Sequence, residues 1–158
     1  MEKIILETYI EAPIERVFDL SRSIDLHKIS TKGTKEEAID GKTSGLIELN
    51  ETVTWRAKHL GVFQKLTVVV TKLERPYIFE DKMTKGAFSK MKHTHKFEEA
   101  KNGTKMTDIF EFKSPLGILG NLANILFLKS YMTNFLKTKN EELKSVAESD
   151  DWRKILTD

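Results

Sequence analysis

The run from Ser114 to Glu148, SPLGILGNLANILFLKSYMTNFLKTKNEELKSVAE, constrains this chain most, because it is the only long helical pattern present. Ser114 is suited to cap such a helix, since its hydroxyl can accept a bond from an orphan amide of the first turn. Pro115 then takes the first helical position, where its missing N–H costs nothing. At 1.5 Å per residue the helix would reach roughly 50 Å, longer than a small sheet is wide. Its first half, Leu116 to Met132, is apolar almost all round, so it must be buried on every side or meet something besides its own core. Its second half, Lys137 to Glu148, reads as amphipathic, with Leu143 and Val146 on the buried side and charges elsewhere. Gly117 and Gly120 each cost about 1 kcal/mol inside a helix. They suit either close packing on a sheet or an end that opens as a gate.

The rest of the chain must supply the surface that this helix covers. Glu2 to Ala12 alternates as a strand, with Ile4, Leu6 and Ile10 on one face. Pro13 opens a short helix, PIERVFDLS, and a second short helix spans Ile24 to Ile29. A polar, glycine-punctuated stretch holds one edge strand around Glu36 to Ile39. Strands follow at Glu51–His59, Val62–Leu73, Tyr77–Lys85, Lys90–Glu99 and Thr104–Lys113, with turn signals at Leu60-Gly61, Glu74-Arg75-Pro76, Gly86-Ala87-Phe88 and Asn102-Gly103. This order predicts an α+β fold. A strongly curved antiparallel sheet of about seven strands wraps around the long C-terminal helix, with two short helices after the first strand and a cavity between sheet and helix. The turns give a register that pairs Trp55 with Leu66, Val53 with Val68, Leu66 with Met83, Val68 with Asp81, Met83 with Met91, Asp81 with His93, His95 with Phe110 and Phe97 with Asp108. Each pairing keeps apolar faces together.

Three stretches resemble one family. IEAPIERVF after the first strand, the tryptophan strand ETVTWRAK, and FKSPLGILG leading into an apolar helix are similar to the START and polyketide-cyclase-like (SRPBCC) superfamily, whose fold is the helix-grip. The resemblance runs to about Glu148. It implies a ligand cavity under the long helix. Members bind sterols, lipids, hormones, polyketides or quinones. Others are cyclases, toxins against ribosome assembly, or activators of an ATP-dependent chaperone. No catalytic motif transfers residue by residue, and fold alone does not decide activity.

On the register above the inner face carries Trp55, Val68, Tyr77, Phe79, Met83, Met91 and Phe110, with Asp81, His93, His95 and Asp108 among them. His59 and Gln64 lie near the rim. Leu119, Leu122, Ala123 and Leu126 face it from the helix. Four ionisable groups on a concave apolar face need partners, because an unpaired buried polar group costs roughly 1–3 kcal/mol. They pair with one another, or water or a ligand satisfies them. His93-x-His95 points two rings the same way and, with Asp81 and His59, has the residue types of a divalent-metal site. The motif alone is short, the family seldom uses a metal, and no metal or cofactor is expected.

Residues 1–148 read as a single ligand-binding domain, with 149–158 as a C-terminal tail in which Trp152, Ile155 and Leu156 form a short turn of helix packed back on the domain. The 26 basic and 24 acidic residues leave a net charge of +2, which argues against a nucleic-acid surface. There is no cysteine, hence no disulfide or zinc-thiolate site. With no signal peptide and no run of about 20 apolar residues, a cytoplasmic protein without an integral membrane segment is expected. The first functional reading is a non-catalytic module for a mid-sized apolar molecule, lipid, sterol, quinone or polyketide-like. The alternatives are a cyclase- or hydratase-type enzyme using inward His and Asp residues, and a protein-interaction module using the apolar helix start and the tail. A second copy of the chain is the other expected partner.

Overall fold

A computed structural model describes residues 1–30, 32–114 and 122–156. Strand β1 (Glu2–Ile10) is followed by helices α1 (Ile14–Ser21) and α2 (Ile24–Ser30) and a single 3-10 turn (Lys32–Thr34). Strands β2 (Glu37–Gly41), β3 (Thr52–His59), β4 (Val62–Glu74), β5 (Ile78–Lys85), β6 (Lys90–Ala100) and β7 (Gly103–Lys113) come next. Helices α3 (Leu122–Glu148) and α4 (Trp152–Ile155) close the chain. The seven strands form one curved antiparallel sheet in the order β1-β7-β6-β5-β4-β3-β2. The helix-grip architecture expected from the sequence is therefore present. The expected cap at Ser114, Pro115, and the glycines Gly117 and Gly120 concern a helix start on residues 115–121, outside the described ones. None of the described helices is long and apolar enough to cross a membrane.

The register agrees with the sequence reading at β3–β4, where Trp55 faces Leu66 and Val53 faces Val68, and at β5–β6, where Asp81 faces His93. It differs by two residues in the other two hairpins. Val68, not Leu66, pairs with Met83, and Val70, not Val68, pairs with Asp81. His93, not His95, pairs with Phe110, and His95 takes Asp108 in place of Phe97. The reasons are local. The β6–β7 hairpin closes on Ala100 and Gly103, so its loop is Lys101-Asn102, with Asn102 at φ 63°. Gly103 lies against the Ile10 carbonyl, where a Cβ has no room. The β4–β5 hairpin closes on Glu74 and Ile78, which moves the expected register by three, and an extra residue in β4, Thr71, bulges out between Val70 and Lys72 and takes one back. Without it Val68 and Val70 would turn to solvent, because side chains alternate with period two. A slip of two keeps every residue on its face, so the inner face survives. Tyr77 is the exception: it precedes β5 in the turn, and its side chain is exposed.

Two apolar clusters fill the grip. At one end Phe18 of α1 meets Phe79 and Phe97 edge-on, with ring centroids 5.6 and 5.2 Å away, and Leu143, Val146 and Ala147 of α3 close over them. Trp152, Ile155 and Leu156 pack on this cluster, and the Arg16 guanidinium lies 4.1 Å from the Trp152 ring. At the other end Val53, Trp55, Val68, Val70, Met91, Phe110 and Phe112 face Met132 and Leu136. Polar bonds tie α3 to β1: the Lys144 ammonium donates to the Tyr9 carbonyl at 2.7 Å, and the Glu11 amide donates to Glu148 at 2.8 Å.

Candidate functional site

The second cluster does not close. Between the concave face of β3–β7, helix α2 and the middle of α3 lies a cavity of about 280 Å³. Trp55, Val68, Val70, Phe79, Met91 and Phe110 line it from the sheet, and Leu128, Met132 and Leu136 from the helix. The His27 ring stacks on Trp55 at 4.0 Å between centroids, and its Nε2 meets Glu36 Oε1 at 2.8 Å. At the rim His59 Nδ1 and the Tyr131 hydroxyl are 2.8 Å apart, which joins the β3–β4 turn to the helix.

One wall is ionisable. His93 and His95 are neighbours on the inner face of β6, with ring centroids 3.8 Å apart. Behind them, on β7, sits Asp108, which is 1% exposed. Its Oδ1 is 2.9 Å from both His93 Nε2 and His95 Nδ1. Its Oδ2 accepts from the Asn140 amide of α3 at 2.6 Å. Phe79 stacks flat on the other side of His95, centroids 4.1 Å apart. Asp81, across the strand from His93, points instead toward His95, with 3.6 Å between Oδ2 and Nε2. Register puts Asp81 opposite His93, but its near neighbour is the diagonal ring.

Burial and proximity set the charges. Burial disfavours a charged His93, the charge of His95 beside it adds to that, and its pKa falls to about 4. Burial also opposes charge on His95, yet the bond to Asp108 and the nearby Asp81 carboxylate hold its pKa above the ordinary value. Burial works against both carboxylates too, and the histidines overcome it, keeping Asp108 and Asp81 below the usual range. Two rings this close cannot both charge easily, so the site takes its first proton on His95 and a second only near pH 4. Lys139 reaches the cavity from α3, and burial pushes its pKa down against the pull of Glu36, Asp81 and Asp108. His27 is lowered by burial and then by Lys139. Below the raised pKa of His95 the wall therefore offers a neutral imidazole beside an imidazolium, a pair that can accept from and donate to a polar group in the cavity.

A family model described as polyketide cyclase / dehydrase and lipid transport matches residues 1–148. The chain belongs to that family. Among solved structures it is similar to TTHA0849 from Thermus thermophilus, at 20% identity and a TM-score of 0.74, over 91% of this chain and 95% of that one. It is also similar to the ginseng major latex-like protein 151 from Panax ginseng, at 12% identity and a TM-score of 0.67, over 94% and 98%. A third likeness is the Aha1 dimer from Colwellia psychrerythraea, at 14% identity and 0.64, over 94% and 97%. At these identities the likeness is one of fold. No curated protein matches the chain.

Within this family fold, the sequence-based candidates separate. Trp55, Val68, Phe79, Asp81, Met91, His93, His95 and Phe110 all line the cavity. Asp108 stands behind the histidines rather than at the surface. Met83 packs beside Leu66 under the Gly86 turn and is not in the wall. Leu126 faces outward, 58% exposed. Leu119 and the side chains of Leu122 and Ala123 lie outside the described residues. Sequence reading missed His27, Glu36, Lys139 and Asn140. For the last two a signal existed: Met132, Leu136, Asn140, Leu143 and Ala147 recur at helical spacing as one stripe, so Asn140 and its neighbour Lys139 occupy inward positions in a half of the helix read as charged outside.

Proposed function

We propose that the chain binds one mid-sized apolar molecule, lipid, sterol, quinone or polyketide-like, with a polar group set against Asp81, His93 and His95. The observation that supports this is the pairing of an apolar-walled cavity with one buried ionisable wall. Trp55, Val68, Phe79, Met91 and Phe110 would contact the apolar body. A dry core gains nothing from two histidines and two carboxylates, whose burial costs more than apolar replacements of the same shape. A panel of fatty acids, sterols, quinones and aromatic polyketides tests it by melting temperature. A ligand at a hundredfold excess over its Kd adds about 2.7 kcal/mol, which for a domain of this size raises Tm by roughly 5–10 °C. No shift from any member would contradict the reading. An acid–base enzyme is the second reading, favoured by the neutral and charged imidazoles side by side. Recovery of the bound compound unchanged, at every pH from 5 to 8 (on the order of the histidine range), would remove it.

A further inference from the structure

The ionisable wall has a feature that ligand anchoring does not require. One ring nitrogen of His93, one of His95 and one carboxylate oxygen of Asp81 lie within 4.8 Å of one another at the cavity surface. The His95 Nε2 to Asp81 Oδ2 gap is 3.6 Å, too long for a hydrogen bond. It is close to the separation of two donors on one tetrahedral Zn²⁺, about 3.3–3.5 Å for bonds of about 2.0–2.2 Å. Behind the trio, Asp108 Oδ1 receives His93 Nε2 and His95 Nδ1. A buried carboxylate holding the far nitrogen of each ring leaves the opposite nitrogen, His93 Nδ1 and His95 Nε2, as the one a metal can take, in exchange for a proton where the ring carries one. That is the outer arrangement that orients metal-bound histidines. Asn140 and Asp108 are bonded in turn, so the carboxylate is itself fixed.

We infer that Asp81, His93 and His95 form a binding site for one late first-row divalent cation, with Zn²⁺ as the reference ion, and that Asp108 is its positioning carboxylate. Two imidazoles and one carboxylate suit such ions, and three protein ligands leave coordination positions open to the cavity. Two carboxylates, Asp81 and Asp108, balance the ion's charge. His59, the fourth residue that the sequence suggested, is not in the converging group: it sits at the rim against Tyr131. The inference reverses the sequence-based expectation of no metal, and it stands apart from the proposed apolar ligand, because the metal alone is the probe.

Chelator-treated protein is titrated with Co²⁺ followed by its visible ligand-field bands, and with Zn²⁺ by calorimetry. One ion per chain is expected. His95→Gln and Asp81→Asn should each weaken binding at least tenfold, and Asp108→Asn by about 10- to 100-fold, while His59→Gln keeps wild-type affinity. Zn²⁺ should also shift the ring-nitrogen NMR signals of His93 and His95 in the wild type, a readout that holds if a variant fails to fold. No saturable binding, binding undiminished in Asp81→Asn, or Zn²⁺ shifts confined to His27 or His59 would overturn the site. Metal binding without any effect of apolar compounds would overturn the proposed function and leave the site standing.

Discussion

Replacing Asp108 with alanine probes how the ionisable wall is held. The carboxylate is 1% exposed and accepts from three groups, His93, His95 and Asn140, at 2.9, 2.9 and 2.6 Å. Its loss strands a donor on each histidine ring and leaves Asn140 only a long 3.4 Å bond to Thr8, each stranded donor costing about 1–3 kcal/mol if left dry. Water entering from the cavity next to the histidines lowers that sum, so about 3–5 kcal/mol is expected, the usual cost of breaking a buried pair. Against a domain stability of about 5–15 kcal/mol this is a large fraction, and Tm should fall by roughly 10 °C or more. Urea denaturation with chelator present measures it without any metal contribution. Asn140→Ala should cost about 1–3 kcal/mol alone and much less in the Asp108→Ala background, giving a coupling of about 1–2 kcal/mol. A cost for Asp108→Ala below about 1 kcal/mol, or additive effects in the double mutant, would refute the arrangement.

Lys139→Met should stay within about 1 kcal/mol of the wild type, because relief of burying an ammonium offsets its lost attraction to Glu36, Asp81 and Asp108; a large loss in urea denaturation would show that Lys139 is a structural partner instead. Asp19 loses solvation in α1, but Arg75 and Arg22, bonded to it at 2.8 to 3.1 Å, hold its pKa below 3.8. A depressed carboxylate contributes stability above its unfolded pKa and loses it as pH falls through the folded one, so wild-type stability should drop below pH 3.8 more steeply than that of Asp19→Asn. Parallel curves would contradict the pairing. Deleting Thr71 removes the bulge that turns Val68 and Val70 inward and should abolish a cooperative thermal transition; a native-like melt would refute the register argument.

Strand alternation carried most of the fold. Glu51–His59 and Thr104–Lys113 announce one apolar face each, and an error of two residues in a hairpin leaves those faces intact, so the cavity-lining residues of the sheet were legible, with Tyr77 and Met83 wrongly included, although the pairing in two hairpins was not. What alternation cannot show is an added residue such as Thr71, whose effect appears only when β4 meets β5. It cannot show depth either: Asp108 shares the inner face with His93, yet it sits beside β1 and against Asn140 of α3, beyond the cavity wall. Lys139 and Asn140 were hidden because a charged helix half averages out as solvated, and only their place on the Met132–Ala147 stripe marks them as inward. His27 belongs to a helix whose packing against Trp55 depends on how the chain returns after β1, a long-range fact with no local signal.

The central claim is that the space between sheet and α3 is a binding site. Methyl NMR with the panel compound that raises Tm most tests it directly. Shifts are predicted at Val53, Val68, Val70, Met91, Met132 and Leu136, which line the cavity, with Ile5 and Leu126, both exposed, unmoved. Shifts at Ile5 and Leu126 with the cavity methyls silent would contradict the account.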